Sequence, residues 1–391
     1  MRKLLINLVV IFLAKSILLG QTEIPFNYTS HIVLKGVING SHEARLVLDS
    51  GADGLYLDSV YFSETKIPIV RRQLATLPGA GSTPQQITVV LDTIRTSFQG
   101  IEYIPRFVPL ISLKPILGQD VDGIIGTSFL SNYVAHLDYK NQSLKLISPD
   151  DFQAPQGWAS IPFELVRNRI TVDLELGISN GLVMTERFQV DLGNGGTVDI
   201  TSPTASKYGL SEKVGNRLSY LNVSGGVGGE IKGNQFRADY IKLGRFRIEK
   251  PVLDYSTDTG GALAKEEIGG LLGNEILDRF HVIFDFPNTR LFLKPNGKVA
   301  DFHSTLTGFS YTNRKDEFGG LLVTGLFENT NAKEVGIRIG DVITHISGSA
   351  VTSLEPSVIK KTFESVGSKV VLKILRKGKT LNLSLVLRDY L

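Results

Sequence analysis

The sequence predicts a mainly β protein, with two related lobes followed by a smaller C-terminal unit of strands and helices. Three observations lead there. Forty glycines among 391 residues and many short β-branched runs favour strands joined by tight turns over long helices. An aspartate set in a glycine turn occurs twice, each time at the end of an apolar run: Leu46-Val47-Leu48-Asp49-Ser50-Gly51-Ala52 and Phe188-Gln189-Val190-Asp191-Leu192-Gly193-Asn194. The repeat stops near residue 295, and the remaining C-terminal residues have a pattern of their own.

In chain order, the first element is Met1-Arg2-Lys3 followed by an apolar stretch from Leu4 to Ala14, which Lys15 interrupts too early for a membrane span. A basic start with a short apolar core reads as a secretory signal over 1–20, cut near Gly20–Gln21, with an uncleaved anchor as the alternative. Export, to a periplasmic or extracellular location, is the expectation. Loss of Arg2, Lys3 and Lys15 leaves 39 basic against 39 acidic residues, a formally neutral chain. Such a balance argues against a nucleic-acid partner and an anionic-membrane footprint. With no cysteine there is neither a disulfide nor a thiol nucleophile.

Lobe one is expected over 21–150 and lobe two over 151–300, joined by the turn-rich segment 148–157. Ile24-Pro25-Phe26 precedes Asp49 and Ile161-Pro162-Phe163 precedes Asp191. Downstream come Gly123-Ile124-Ile125-Gly126 and Gly270-Leu271-Leu272-Gly273. Apolar residues then fall three, four and seven positions after each final glycine, at Phe129, Leu130 and Tyr133 and at Ile276, Leu277 and Phe280, the spacing of one helical face. Asp138 with Asn141, and Asp285 with Asn288, mark a hairpin turn in each lobe. Each lobe also carries a glycine-rich hairpin tip, 78–82 with Gly79 and Gly81, and 225–229 with Gly226 and Gly228. Such tips serve as lids over a cleft or are plain surface hairpins; their matching places favour lids.

A carboxylate exposed at the end of a buried strand usually makes a turn, but a duplicated one suggests that Asp49 and Asp191 face each other. Two such carboxyls in a low-dielectric cleft cannot both ionise, so they share a proton and titrate as a pair. One then serves as base toward water while its protonated partner polarises a carbonyl. The remaining aspartates, Asp53, Asp58, Asp122, Asp138 and Asp285, read as turn, cap or strand-edge groups.

On Asp49-Ser50-Gly51-Ala52, the two apolar-apolar-glycine strands and the twin glycine tips, residues 24–295 resemble the retropepsin-like aspartic peptidases, with two lobes fused in one chain. That resemblance implies an acid-protease-like β-barrel fold and an aspartic-type endopeptidase. Its dyad would be Asp49 and Asp191, supported by Ser50, Gly51 and Gly193, with Gly79, Gly81, Gly226 and Gly228 in substrate-covering flaps. The family has Ser or Thr after each catalytic aspartate, and Leu192 departs from that pattern. The alternative is a catalytically silent, peptide-binding or scaffolding descendant. Because the duplication supplies both aspartates, a monomer is expected.

The third unit, 301–391, resembles a bacterial-type PDZ domain through Leu321-Leu322-Val323-Thr324 and the run from Asn331 to Gly348, with its Gly340-Asp341 turn. The resemblance implies that Thr307, Gly308 and Phe309 form the loop that receives a peptide's terminal carboxylate. Val358, Ile359 and Phe363 share a helical face that either borders the groove or is core. The partners expected are thus a peptide or protein substrate and a C-terminal peptide. His31, His42, His136, His281, His303 and His345 lack paired zinc spacing, so no metal and no cofactor is expected. The glycines at 225–229 lack the spacing of a dinucleotide loop, and no serine stands in a Gly-x-Ser-x-Gly elbow.

Overall fold

The computed structural model describes residues 21–391 apart from Pro78, Ala80 and Ser82; the expected signal segment at 1–20 lies outside the described residues. Strands dominate, and the two related halves share a sheet rather than standing apart. Val134–Asp138 runs antiparallel to Phe280–Asp285, so one sheet joins Ala159–Pro162, Arg290–Pro295, Phe280–Asp285, Val134–Asp138, Ser143–Ile147 and Gln21–Tyr28. The hairpin turns within it are closed locally. Asn141 N–H donates to Asp138 and Asn288 N–H to Asp285, the side-chain turn that Asp and Asn offer a backbone.

Each half repeats one arrangement around its central aspartate. His42–Asp49 lies parallel to Gly123–Gly126, with Gly126 beside Asp49, and Leu55–Asp58 closes the other side antiparallel. In the second half Leu182–Val190 lies parallel to Gly270–Leu272, with Val198–Ile200 antiparallel beyond it. The near-continuous apolar character of these central strands reflects burial on both faces. Leu46, Leu48, Ile125, Phe188, Val190 and Leu272 are all fully buried. Asp58 caps the Ser59–Thr65 helix, accepting from Val60 N and Tyr61 N.

The helical spacing after each final glycine is used for one turn only. The helices are Thr127–Leu130 and Asn274–Leu277, so Tyr133 falls beyond the first and Phe280 opens a strand. Four residues satisfy too few backbone bonds to extend further against the adjoining sheet.

The C-terminal unit has its own core, built from residues such as Phe309, Val323, Ile343, Ile359, Phe363 and Leu372. Ile359 and Phe363 belong to that core, whereas Val358 on the same helix is 47% exposed, so the three do not share one face. The unit is also stitched to the second half. Leu218–Gly226 pairs antiparallel with Gly320–Phe327, placing Tyr220 opposite Phe327 with ring centroids 5.1 Å apart. Among the described residues no helix is long and apolar enough to cross a membrane.

Candidate functional site

The strand ends bring Asp49 and Asp191 together. Asp49 Oδ1 accepts from Gly51 N at 2.7 Å and Ala52 N at 3.2 Å; Asp191 Oδ1 accepts from Gly193 N at 2.9 Å. The loops cross so closely that only glycine fits in them. A Cβ on Gly51 would stand 2.9 Å from Asp191 Oδ2 and 3.0 Å from Asp49 Oδ1, and one on Gly193 would stand 2.4 Å from Asp49 Cγ. The two carboxyls hydrogen bond to each other, which requires one of them to carry a proton.

Electrostatics agree with that assignment. Burial raises Asp49 above the usual carboxylate range, opposed by the bonds it accepts from the Gly51 amide, from Asp191 and from the Ala52 amide. Burial, the Asp49 charge and the bond to Asp49 raise Asp191 much further. Both shifts oppose double ionisation, so the pair holds one proton between its two carboxyls. Arg169 donates to Gly51 O at 2.8 Å, and its charge favours the Asp49 carboxylate.

The loops are locked asymmetrically. Ser50 Oγ, fully buried, donates to Val190 O at 2.7 Å and accepts from Leu192 N at 2.9 Å. Leu192 cannot return the favour; Asn274 Nδ2 instead holds Leu192 O at 2.6 Å, and Tyr139 O–H fixes Asn274 Oδ1 at 2.7 Å.

Above the pair lies a cavity of about 540 Å³, of a size that holds several peptide residues. Val47, Tyr56, Ile111, Leu117 and Ile124 give it one apolar wall, while Asp199, Asn222, Ser224 and Lys265 line the opposite side. The two hairpins, Arg72–Leu77 with Gln85–Val90 and Leu218–Gly226 with Gly229–Arg237, meet tip to tip over it. Gly81 N donates to Val227 O at 2.9 Å and Thr83 N to Gly228 O at 3.3 Å. Gly79 and Gly226 line the cavity, whereas Gly81 and Gly228 make the tip-to-tip contact.

In the C-terminal unit Gly308 has φ +74° and packs against Thr330. Its N–H donates to Thr305 Oγ1 at 3.1 Å, and Thr307 Oγ1 donates to Phe309 O at 2.8 Å. The PDZ domain family matches residues 306–387. The C-terminal unit is a PDZ domain.

The curated relatives include the periplasmic serine endoproteases DegP of Escherichia coli K12 and of Salmonella typhimurium LT2, 36% and 35% identical over 70 residues. Each match covers 18% of this chain, and the chain spans about 15% of the length of these relatives. They correct the reading of the whole protein as an aspartic-type endopeptidase or its silent descendant. The named relatives are serine endoproteases, and the comparisons support the PDZ part of the resemblance but not the retropepsin-like part. Ser30 Oγ lies 3.0 Å from His31 Nδ1, and Asp389 takes both His303 Nδ1 at 3.0 Å and Ser304 Oγ at 2.9 Å. In neither does a histidine bridge a serine hydroxyl to a carboxylate.

Other residues at the site were not singled out from sequence: Arg169, Asn194, Asp199 and Asn274. Asn194 and Asn274 each stand directly after a repeat glycine, which was the available signal. Among the described residues no group of three or more His, Asp and Glu side chains is placed to hold a metal ion.

Proposed function

We propose that this is an exported, PDZ-bearing protein of the protease kind that takes an extended peptide into the cleft between its halves, where Asp49 and Asp191 meet it. The observation that carries this reading is the pair of carboxyls, Asp49 and Asp191, opposed across crossed glycine loops beneath a roofed cavity. A neutral acid beside an ionised one presents a donor and an acceptor side by side, which suits the polar groups of a peptide backbone.

In this reading Ser50, Gly51 and Gly193 hold the pair, and Gly79, Gly81, Gly226 and Gly228 give the two hairpins the freedom to part and close. Thr307, Gly308 and Phe309 receive the peptide's C-terminal carboxylate once Gly308 N–H turns from Thr305. The chain acts as a monomer, organised as a signal over 1–20, halves over 21–150 and 151–300, and the PDZ unit over 301–391. The similarity to relatives that are periplasmic endoproteases supports both the protease kind and export.

The test uses the intact protein, a fluorescent extended peptide, Asp49→Asn and Asp191→Asn. Peptide binding weakened in both variants, with the fold retained by circular dichroism, supports the reading. Undiminished binding in both variants overturns it.

A further inference from the structure

A second pair of acids lies behind the Asp191 loop. Val198–Ile200 and Val252–Ser256 run parallel with Asp199 directly beside Asp254. Asp199 Oδ2 accepts from Asn194 Nδ2 at 2.7 Å. Asn194 in turn organises the whole loop. Its N–H donates to Asp191 O at 3.1 Å, its Oδ1 accepts from Gly196 N at 2.8 Å, and its carbonyl accepts from Asn274 N at 2.8 Å.

On the far side, Gln235 Nε2 reaches Asp254 Oδ2 at 3.5 Å, and Gln235 Oε1 accepts from Thr305 N at 2.8 Å. Thr305 Oγ1 is the acceptor of the Gly308 N–H. A polar line therefore runs from the Asp191 loop through Asn194, Asp199, Asp254, Gln235 and Thr305 to Gly308.

We infer that Asp199 and Asp254 are positioning residues that hold the Asp191 loop through Asn194 and couple it, through Gln235, to the ligand loop of the PDZ domain. The inference rests on the proposed role of the cleft and adds a regulator to it.

The switch is a choice of partner. Gly308 N–H bonds either Thr305 or an incoming peptide carboxylate, and the release of Thr305 Oγ1 alters the support of Gln235. Burial raises Asp199, to about 6, and raises Asp254 well beyond, with the Asp199 charge adding to it. Each is thus harder to ionise beside the other. The other titratable groups that face the pair are Asp191, Tyr220, Asp258 and Glu275. Among these Tyr220 comes from the covering hairpin.

The repeat does not carry this feature. Asp199 stands opposite Leu271 as Tyr56 stands opposite Ile124, so the first half holds a tyrosine at the matching place. Pro109 occupies the place of Asp254. The pair belongs to the half whose covering hairpin pairs strand to strand with the PDZ unit.

Carboxyl carbon NMR on the intact protein tests the coupling without requiring turnover. A short peptide with a free apolar C-terminus is the probe, and its C-terminal amide is the control. The expected result is that the free-acid peptide moves the titration midpoints of Asp199 and Asp191 in the wild type and leaves them in place in Gln235→Leu. An equal movement in Gln235→Leu, or no movement in the wild type, overturns the inference. In binding of an extended peptide by the cleft, Asp199→Leu should weaken affinity on the order of tenfold, and Asp199→Asn, which keeps an acceptor for Asn194, should restore most of it. Wild-type affinity in Asp199→Leu overturns the positioning role. A wild type that binds no peptide in the cleft removes the proposed role of the cleft, and the NMR arm alone then decides the coupling.

Discussion

Ser50 Oγ and the Leu192 amide are 2.9 Å apart, a buried hydrogen bond that joins the two halves at the point where their aspartates meet. The same hydroxyl donates to Val190 O, so one side chain satisfies two backbone groups of the opposite loop. Leaving buried partners unsatisfied costs more than the bond itself contributes. Ser50→Ala should therefore lower stability by about 1–3 kcal/mol. Chemical denaturation checks this, with an unchanged midpoint as the contrary result.

Gly193 lies where a methyl group would strike the Asp49 carboxyl carbon at 2.4 Å. Gly193→Ala should push the two acids apart and weaken binding of an extended peptide on the order of tenfold in fluorescence polarisation. Gly215→Ala, where nothing lies within 4 Å, is the matched control and should behave as wild type.

Two half-buried groups pull the pH dependence of stability in opposite directions. Burial lowers His31 to about 4 from an ordinary 6.5, so its contribution is present above 6.5 and is lost as pH falls through about 4. Burial raises Asp199 to about 6 from 3.8, so its contribution is full below 3.8 and is lost as pH rises through about 6. Melting temperature against pH should show His31→Gln flattening the acid limb and Asp199→Asn flattening the limb between roughly pH 4 and 6. A variant whose profile parallels the wild type would remove that group from the explanation.

Gly308 combines a positive φ with close packing, since a Cβ there would approach Thr330 Oγ1 to 2.4 Å. Gly308→Val should weaken binding of a free-carboxylate peptide at least about tenfold in fluorescence polarisation, because the loop must open to relieve the contact. Equal affinity in the variant would move the ligand site elsewhere.

The aspartate pair was legible because each copy is a local signal, an apolar strand ending in a glycine turn, and the copies could be matched along the chain. The PDZ unit was legible for a similar reason, since its Gly340-Asp341 turn and flanking strands lie close in sequence. Asp199 with Asp254 was not, because their meeting depends on strand register, and the matching places in the first half, Tyr56 and Pro109, give no hint of it. The helical spacing through Tyr133 and Phe280 misled for a physical reason: tertiary pairing claimed those residues after a single turn. The shared sheet through Val134–Asp138 and Phe280–Asp285 likewise has no marker in either strand alone. The expected chemical type failed against the named serine endoproteases, whose likeness covers 18% of the chain.

Carboxyl carbon NMR across the acid range, with and without an extended peptide too short to reach the PDZ loop, bears most directly on Asp49 and Asp191. Two linked steps are expected, the upper lying well above the ordinary carboxylate range, with both displaced when the peptide enters the cleft. Two independent steps near ordinary values, indifferent to the peptide, would contradict that expectation.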